Sequence, residues 1–262
     1  MRGRRFDWEN ASKYLHVPIL RKLFRELSDP VQLGEWKLFE VLEWAAAVLN
    51  RVDRVAFFAK FQDAEAVQYF YEPFLEAFDP ELRKQLGVWY TPPEIVRYMV
   101  ARVDTVLREE LGRPDGLADP DVYVLDPCCG TGAYLAEVLR SIAATLKDKG
   151  EEALLGGKLK AAAMERIFGF EILPAPFVVA HLQLGLFLQA EGVPLQEAKH
   201  ERAGVFLTNA LTDWEPPKGP KQSFLFPELK EEHDKAGEVK QRKPLLVVLG
   251  NPPYNGFAGM AV

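Results

Sequence analysis

Residues 245–254 read Leu-Leu-Val-Val-Leu-Gly-Asn-Pro-Pro-Tyr. Five apolar residues followed by a glycine and a proline pair are typical of a short buried strand in a parallel sheet. Open α/β sheets carry their chemistry at the carboxyl ends of such strands. Because the prolines have no N–H, the backbone of the turn offers only carbonyl acceptors, which are rigidly held. Asn251 adds a side-chain carbonyl as a further acceptor, and Tyr254 provides a flat ring. Acceptors beside a stacking surface suit the amino group of a planar base, which favours methyl transfer to an exocyclic nitrogen.

Three other apolar runs alternate with helical patterns along the chain. We predict strands at 122–125, 167–170, 205–207 and 245–249 and helices at 134–149, 177–189 and about 227–240. We interpret residues 148–165 as an insertion before the second strand. Strands that alternate with helices form a parallel sheet covered on both faces. The predicted fold class is therefore α/β, a Rossmann-like doubly wound parallel sheet, with the fourth strand at an exposed edge.

The amino-terminal third has a different pattern. Residues 6 to about 86 are rich in Leu, Ala, Glu and Phe without strand-like alternation, so we predict a helical subdomain over 1–86 and an α/β domain over 87–262. The aromatic residues between Phe57 and Phe78 favour core packing of that subdomain, and docking of a further domain is the alternative. The α/β domain is predicted to open with a helix in which Thr91 is the N-cap of a capping box and Pro92 the first helical residue.

Composition limits the function classes. No apolar stretch among the 262 residues approaches the roughly 20 that span a bilayer, and no apolar segment follows the basic start, so we expect a cytoplasmic protein without membrane contact. The only two cysteines are adjacent, which argues against a disulfide framework. The net charge of −6 argues against a large basic face for nucleic acid, although a pocket for one base does not need such a face. The four histidines show no metal-ligand spacing, so we expect no metal.

A glycine turn follows the first predicted strand, where residues 126–132 read Asp-Pro-Cys-Cys-Gly-Thr-Gly. Gly130 and Gly132 permit positive φ and a close backbone approach, and the helix behind them presents free N–H groups to an anion. A nucleotide-phosphate site is the usual alternative, but Leu135 stands where its third glycine would be.

The next two strands also end in polar residues. Glu171 ends the second strand, where an acid can bind both hydroxyls of a ribose; a solvated strand-end acid is the alternative. Asn209 follows the third strand and either accepts a hydrogen bond from an adenine amino group or simply makes a turn, with Asp213 as a weaker candidate for the adenine contact.

Four stretches together carry a family resemblance. They are Phe-Tyr-Glu-Pro-Phe-Leu at 70–75, Gly-Val-Trp-Tyr-Thr-Pro-Pro-Glu at 87–94, the glycine turn, and Leu-Gly-Asn-Pro-Pro-Tyr-Asn-Gly at 249–256. In this order the chain resembles the adenine-N6 DNA methyltransferases of restriction–modification systems, which use S-adenosylmethionine. The order is that of the γ group, where a methionine-binding motif precedes the glycine turn, and the last stretch is similar to the large single-chain type ISP enzymes.

The resemblance implies two groups of site residues. The first would bind S-adenosylmethionine, with the lead-in residues at its methionine moiety, the glycine turn at its amino-acid and ribose side, Glu171 on the ribose hydroxyls and Ile172 against the adenine ring. This cofactor group is Tyr90, Thr91, Pro93, Asp126, Gly130, Gly132, Glu171, Ile172 and Asn209. The second group would be catalytic: Asn251 and Pro252 would accept hydrogen bonds from the target amino group, and Tyr254 would stack on the flipped base.

The resemblance also implies partners. The resembled fold continues beyond the fourth strand and carries a target-recognition domain, so we expect a methyltransferase domain without its carboxyl-terminal part, with weak or undetectable catalysis by this chain alone. Double-stranded DNA would be held mostly by elements outside the chain, with helicase, nuclease and target-recognition domains as companions. Two other functions stay open. One is a methyltransferase for a protein glutamine or an RNA base, which shares the Asn-Pro-Pro-Tyr turn but not the lead-in at 90–93. The other is a non-catalytic module of a larger protein.

Overall fold

A computed structural model describes residues 5, 7–9, 15, 17–53, 56, 91–211 and 227–253. The chain divides into two compact units, Met1–Gln62 with Gln196–Arg202, and Asp63–Leu195 with Ala203–Val262. The predicted boundary at residues 86 and 87 lies outside the described residues, as does the aromatic stretch from Phe57 to Phe78, so both assignments stay predictions.

The first unit is helical where it is described. Its helices are α1 (Pro18–Leu27), α2 (Pro30–Glu35) and α3 (Phe39–Leu49), and a short 3₁₀ turn covers Glu197–Lys199. Trp8, Leu33 and Ala46 are buried together in a small core, where the Trp8 indole N–H donates to Glu43 Oε1 at 3.1 Å. The indole therefore contributes apolar area and a satisfied polar group at once.

The second unit contains the sheet. Its elements are α4 (Pro93–Glu109), a 3₁₀ turn (Gly116–Ala118), β1 (Tyr123–Asp126), α5 (Ala133–Asp148), α6 (Glu152–Glu165), β2 (Ile167–Glu171), α7 (Pro174–Ala190), β3 (Gly204–Leu207), α8 (Pro227–Arg242) and β4 (Leu245–Val248). The four strands are parallel and lie in the order β3–β2–β1–β4. Among the described strands β4 forms one edge and exposes Leu246 and Val248, which confirms the edge prediction.

Helices cover both faces of this sheet, as predicted for a doubly wound fold. On one face, Phe168, Phe170 and Phe206 form a buried cluster with Ala236 and Val239 of α8. On the other face, α5 approaches β2 so closely that a Cβ added at Gly169 would lie 2.6 Å from Leu135 Cδ1. Alternate strand residues thus face opposite helix layers, and the sheet interior is filled from both sides.

One sequence prediction about a helix is wrong. α4 begins at Pro93, with Pro92 as its N-cap and no capping bond from Thr91. The reason is that Pro92 itself precedes a proline, which keeps it out of the helical region, at φ −50° and ψ 139°. The segment 148–165, interpreted as an insertion, contains α6, which packs Leu159, Ala162 and Ala163 into the core. The other predicted boundaries lie within three residues of those observed.

Candidate functional site

Polar side chains gather where the parallel strands end. Asp126 and Glu171 are the last residues of β1 and β2, while Asn209 and Asn251 come two and three residues after β3 and β4. Parallel strands place their carboxyl ends at one edge of the sheet. Because β1 lies between β2 and β4, Asp126 occupies the middle of that edge.

The glycine turn adopts the backbone that its sequence predicts. Gly130 has φ +54°, and Gly132 has φ +87° as the N-cap of α5, so both lie in the left-handed region that favours glycine. A Cβ at Gly132 would lie 3.2 Å from Ala180 Cβ on α7, whereas a Cβ at Gly130 would meet nothing within 4 Å. The first glycine leaves open space above the turn, and the second lets α5 and α7 approach each other.

Glu171 joins the glycine turn to the end of β2. Its Oε2 accepts the Gly130 N–H at 2.9 Å and its Oε1 accepts the Leu173 N–H at 2.8 Å. Burial raises the pKa of this carboxyl, and the backbone hydrogen bonds oppose that rise. Each oxygen keeps a further lone pair for a ligand. The next side chain, Ile172, is 59% exposed and presents an apolar surface beside this acid.

Asp126 is fully buried at the centre of the edge. Its Oδ1 accepts the Cys128 N–H at 3.1 Å, but its Oδ2 has no hydrogen-bond partner in the part of the chain that the structure describes. Burial, with the nearby charge of Glu171, raises the pKa of Asp126 to about 7 although the Cys128 N–H opposes this. A buried oxygen without a partner is costly, so this atom is suited to a ligand donor.

The end of β4 lies against Asp126. A Cβ added at Gly250 would lie 2.3 Å from Asp126 Oδ1 and 3.4 Å from Cys128 Sγ. The Leu249 N–H donates to the Leu125 carbonyl at 3.0 Å and so fixes this approach. The glycine turn and the Asn-Pro-Pro turn are therefore direct neighbours at the sheet edge.

Asn251 makes a long-range contact at the start of this turn. Its Nδ2 donates to Thr91 Oγ1 at 3.0 Å, across 160 residues of sequence. Pro252 and Pro253 follow with exposed rings, and Pro93 is the first residue of α4. Tyr90 and Tyr254 lie outside the described residues, so the contacts predicted for them stay predictions.

Asn209 makes a turn contact in this structure. Its Oδ1 accepts the Leu211 N–H at 2.9 Å, and its backbone carbonyl accepts from Lys240 Nζ at 2.9 Å. Side-chain oxygens of asparagine commonly close such turns. Its adenine contact stays a prediction, and Asp213 lies outside the described residues.

The sequence is similar to a family of known domains. The family model described as N-6 DNA methylase matches residues 62–257, about three quarters of the chain. The chain belongs to the N-6 DNA methylase family. None of the curated proteins matches it significantly.

Solved structures share the fold of this chain. DrdV in a complex with DNA and LlaBIII, an ATP-dependent type ISP restriction–modification enzyme bound to DNA, each align with a TM-score of 0.65, at 22% and 23% identity over 94% of this chain. A nuclease-deletion mutant of the type ISP enzyme LlaGI, bound to a DNA substrate mimic, aligns with a TM-score of 0.56 at 20% identity over 94% of the chain. The aligned parts are 21%, 16% and 19% of those proteins, so the chain spans about a fifth of their length. This likeness shows the α/β methyltransferase fold.

Two contacts of the candidate site are absent from the sequence predictions. A glycine directly before Asn-Pro-Pro was the only local signal for the approach of Gly250 to Asp126. The pairing of Thr91 with Asn251 has no local signal, because it depends on the adjacency of β1 and β4 and on the docking of α4. That helix is held on α5 by a hydrogen bond from the Tyr134 hydroxyl to Met99 Sδ at 3.0 Å.

The described residues contain no cluster of three or more His, Cys, Asp or Glu side chains that could hold a metal ion. They also contain no helix that is long and apolar enough to cross a membrane. The cytoplasmic location stays a prediction.

Proposed function

We propose that this chain is the catalytic core of a DNA adenine-N6 methyltransferase of a restriction–modification system. Its reaction would transfer the methyl group of S-adenosylmethionine to the exocyclic amine of an adenine flipped out of the duplex. One observation carries the proposal beyond the family match: the Asn-Pro-Pro turn lies directly against the glycine turn, with Gly250 at Asp126. A methyl donor and an amine acceptor must meet at such a point.

The residues of the glycine turn fit S-adenosylmethionine. Asp126 Oδ2 is a buried acceptor that lacks a partner among the described residues, as a cationic amino group requires. The space above Gly130 is open, Glu171 has lone pairs for the ribose hydroxyls, and exposed Ile172 offers an apolar face to the adenine ring. When bound there, S-adenosylmethionine supplies an electrophilic methyl group on a sulfonium sulfur.

The Asn-Pro-Pro turn fits the target amine. The lone pair of an adenine amine is delocalised into the ring, which makes this nitrogen a weak nucleophile. The side-chain carbonyl of Asn251 and the backbone carbonyl of Pro252 would accept its two N–H groups and favour a pyramidal nitrogen whose lone pair points at the methyl group. Catalysis would then come from positioning and electrostatics, without a strong base.

DNA is the proposed substrate. The fold is shared with structures of DrdV, LlaBIII and LlaGI that contain DNA or a DNA substrate mimic, and a base inside a duplex must be flipped to reach such a turn. Tyr254 would stack on the flipped base, a contact worth roughly 1–3 kcal/mol. We propose that target recognition, nuclease and helicase functions lie in partner domains. Because the chain carries a net charge of −6, these domains would also make most of the contacts with the DNA phosphates.

Calorimetric titration with S-adenosylmethionine tests the proposal. We expect micromolar binding that falls at least tenfold in Glu171→Ala and much less in Asn251→Ala, because only the first residue is assigned to the cofactor. Glu165→Ala is the matched control, since this exposed acid precedes β2 at the opposite edge of the sheet. A folded protein that does not bind S-adenosylmethionine would refute the cofactor assignment and favour a non-catalytic module.

A further inference from the structure

A hydrogen bond between side chains joins the two halves of the proposed site. Thr91 lies just before α4, in the lead-in that is assigned to the methionine moiety, while Asn251 lies just after β4, in the turn assigned to the target base. Asn251 Nδ2 donates to Thr91 Oγ1 at 3.0 Å, and both side chains are partly buried. The described start of α4 has no side-chain capping bond, so the Thr91 hydroxyl is available to the asparagine.

We propose that Thr91 is a positioning residue that fixes the amide of Asn251 for catalysis. This inference rests on the proposed function and adds a role to Thr91 on the side of the target base. An asparagine amide has a donor end and an acceptor end, and the two exchange when the amide rotates by half a turn. In the structure Thr91 Oγ1 accepts from the nitrogen end, and this orientation leaves the carbonyl oxygen of Asn251 as the acceptor for the target amine. A rotated amide would place a donor against that amine and oppose its N–H groups.

The surroundings make Thr91 a rigid support. As the residue before Pro92 it is restricted to extended backbone conformations, and α4 starts two residues later. On the other side, the Leu249–Leu125 hydrogen bond and the contact of Gly250 with Asp126 fix the backbone that leads to Asn251. With the backbone before Asn251 held in this way, the hydrogen bond to the Thr91 hydroxyl restricts the rotation of the Asn251 side chain.

A pair of conservative variants isolates the hydroxyl. Thr91→Val keeps the shape of the side chain and removes the hydrogen bond, whereas Thr91→Ser keeps the hydroxyl. Side-chain amide signals of Asn251, assigned by their loss in Asn251→Ala, are measured by nitrogen-15 NMR. We expect the Asn251 amide protons to lose a hydrogen-bonded shift and exchange faster in Thr91→Val, and to recover both in Thr91→Ser. Unchanged Asn251 signals in Thr91→Val would overturn the inference even if the protein transfers no methyl group.

Methyl transfer gives a second and independent readout. The single-turnover rate is measured on adenine-containing duplex DNA with the proposed partner domains present, at saturating S-adenosylmethionine so that a change of cofactor affinity does not contribute. We expect Thr91→Val to lower the rate roughly tenfold to a hundredfold, as misplaced reacting groups do, and Thr91→Ser to recover it within about threefold. In an Asn251→Ala background, Thr91→Val should change the rate by less than about twofold. An equal loss in both backgrounds would overturn the inference, whereas a wild-type protein that binds no cofactor would refute the proposed function instead.

Discussion

Replacement of Asp126 by asparagine should change the pH dependence of stability. Burial raises the pKa of this carboxyl from the usual 3.8 to about 7 in the folded protein. Between these values the folded state keeps a proton that the unfolded state releases, so the free energy of unfolding falls as the pH rises from about 4 to about 7. Asparagine cannot ionise, so the Asp126→Asn variant should not show this fall.

The size of the effect follows from the two pKa values of Asp126. For each pH unit over which only the folded state holds this proton, the free energy of unfolding falls by about 1.4 kcal/mol. From pH 4.5 to pH 8 the wild type should therefore lose roughly 3 kcal/mol relative to the variant, since the difference in bound protons ends near pH 7. The amide nitrogen that replaces Oδ2 leaves a buried N–H unpaired at a cost of about 1–3 kcal/mol, but this cost is the same at both pH values and cancels.

The assay is urea unfolding of the wild type and Asp126→Asn at both pH values, without cofactor. Glu165→Gln, at an exposed acid, is the control and should follow the wild type. A carbon-13 NMR titration of the Asp126 carboxyl gives its pKa directly. A stability difference between wild type and variant that is equal at pH 4.5 and pH 8 would show that this carboxyl ionises normally and would refute the reasoning.

Other substitutions test the packing and the thiol. Gly169→Ala should lower the free energy of unfolding by about 1–3 kcal/mol in urea, because the added Cβ would lie 2.6 Å from Leu135 Cδ1. Gly185→Ala is the control in α7, where the added Cβ meets open space, and it should raise the free energy of unfolding by up to about 1 kcal/mol. Equal effects of the two substitutions would contradict the close approach of α5 and β2. Arg166→Met should lower the free energy of unfolding by about 2–3 kcal/mol in the same assay, because this buried guanidinium donates to the carbonyls of Leu117 and Val122 at 3.1 and 2.8 Å. An unchanged free energy of unfolding would show that these bonds make no net contribution to stability. Burial and the neighbouring acids raise the pKa of Cys128 to about 12. Iodoacetamide at pH 8 should therefore alkylate this thiol roughly tenfold to a hundredfold more slowly in the native than in the denatured protein. Equal alkylation rates, measured by mass spectrometry, would exclude the raised pKa.

The parallel sheet and much of its site edge follow from local sequence patterns. Short apolar runs that end in Asp126, Glu171 and the Asn-Pro-Pro turn predicted the strands and the polar groups at their carboxyl ends, and paired glycines predicted the left-handed turn. Each of these signals is contained in fewer than about ten residues, which is the range over which periodicity and turn chemistry act.

The failures have physical causes at particular residues. Thr91 has the sequence of an N-cap, but the Pro92–Pro93 pair moves the helix start, and the threonine contacts Asn251 instead. The raised pKa of Asp126 depends on its burial by β4 and the glycine turn, and no local stretch of sequence predicts that burial. Contacts between distant segments and the solvation of single groups are properties of the packed fold, so local patterns do not predict them.

The edge position of β4 also affects which parts of the domain open first. β4 pairs only with β1 among the described strands, and three of its four residues keep some solvent exposure, whereas β2 is buried along its whole length between two neighbours. Segments with few buried contacts unfold locally at a lower free energy than the global transition. Amide protons of β4 should therefore exchange with solvent before those of β2. Such an opening would carry the Asn-Pro-Pro turn away and leave the bond between Glu171 and the Gly130 N–H in place.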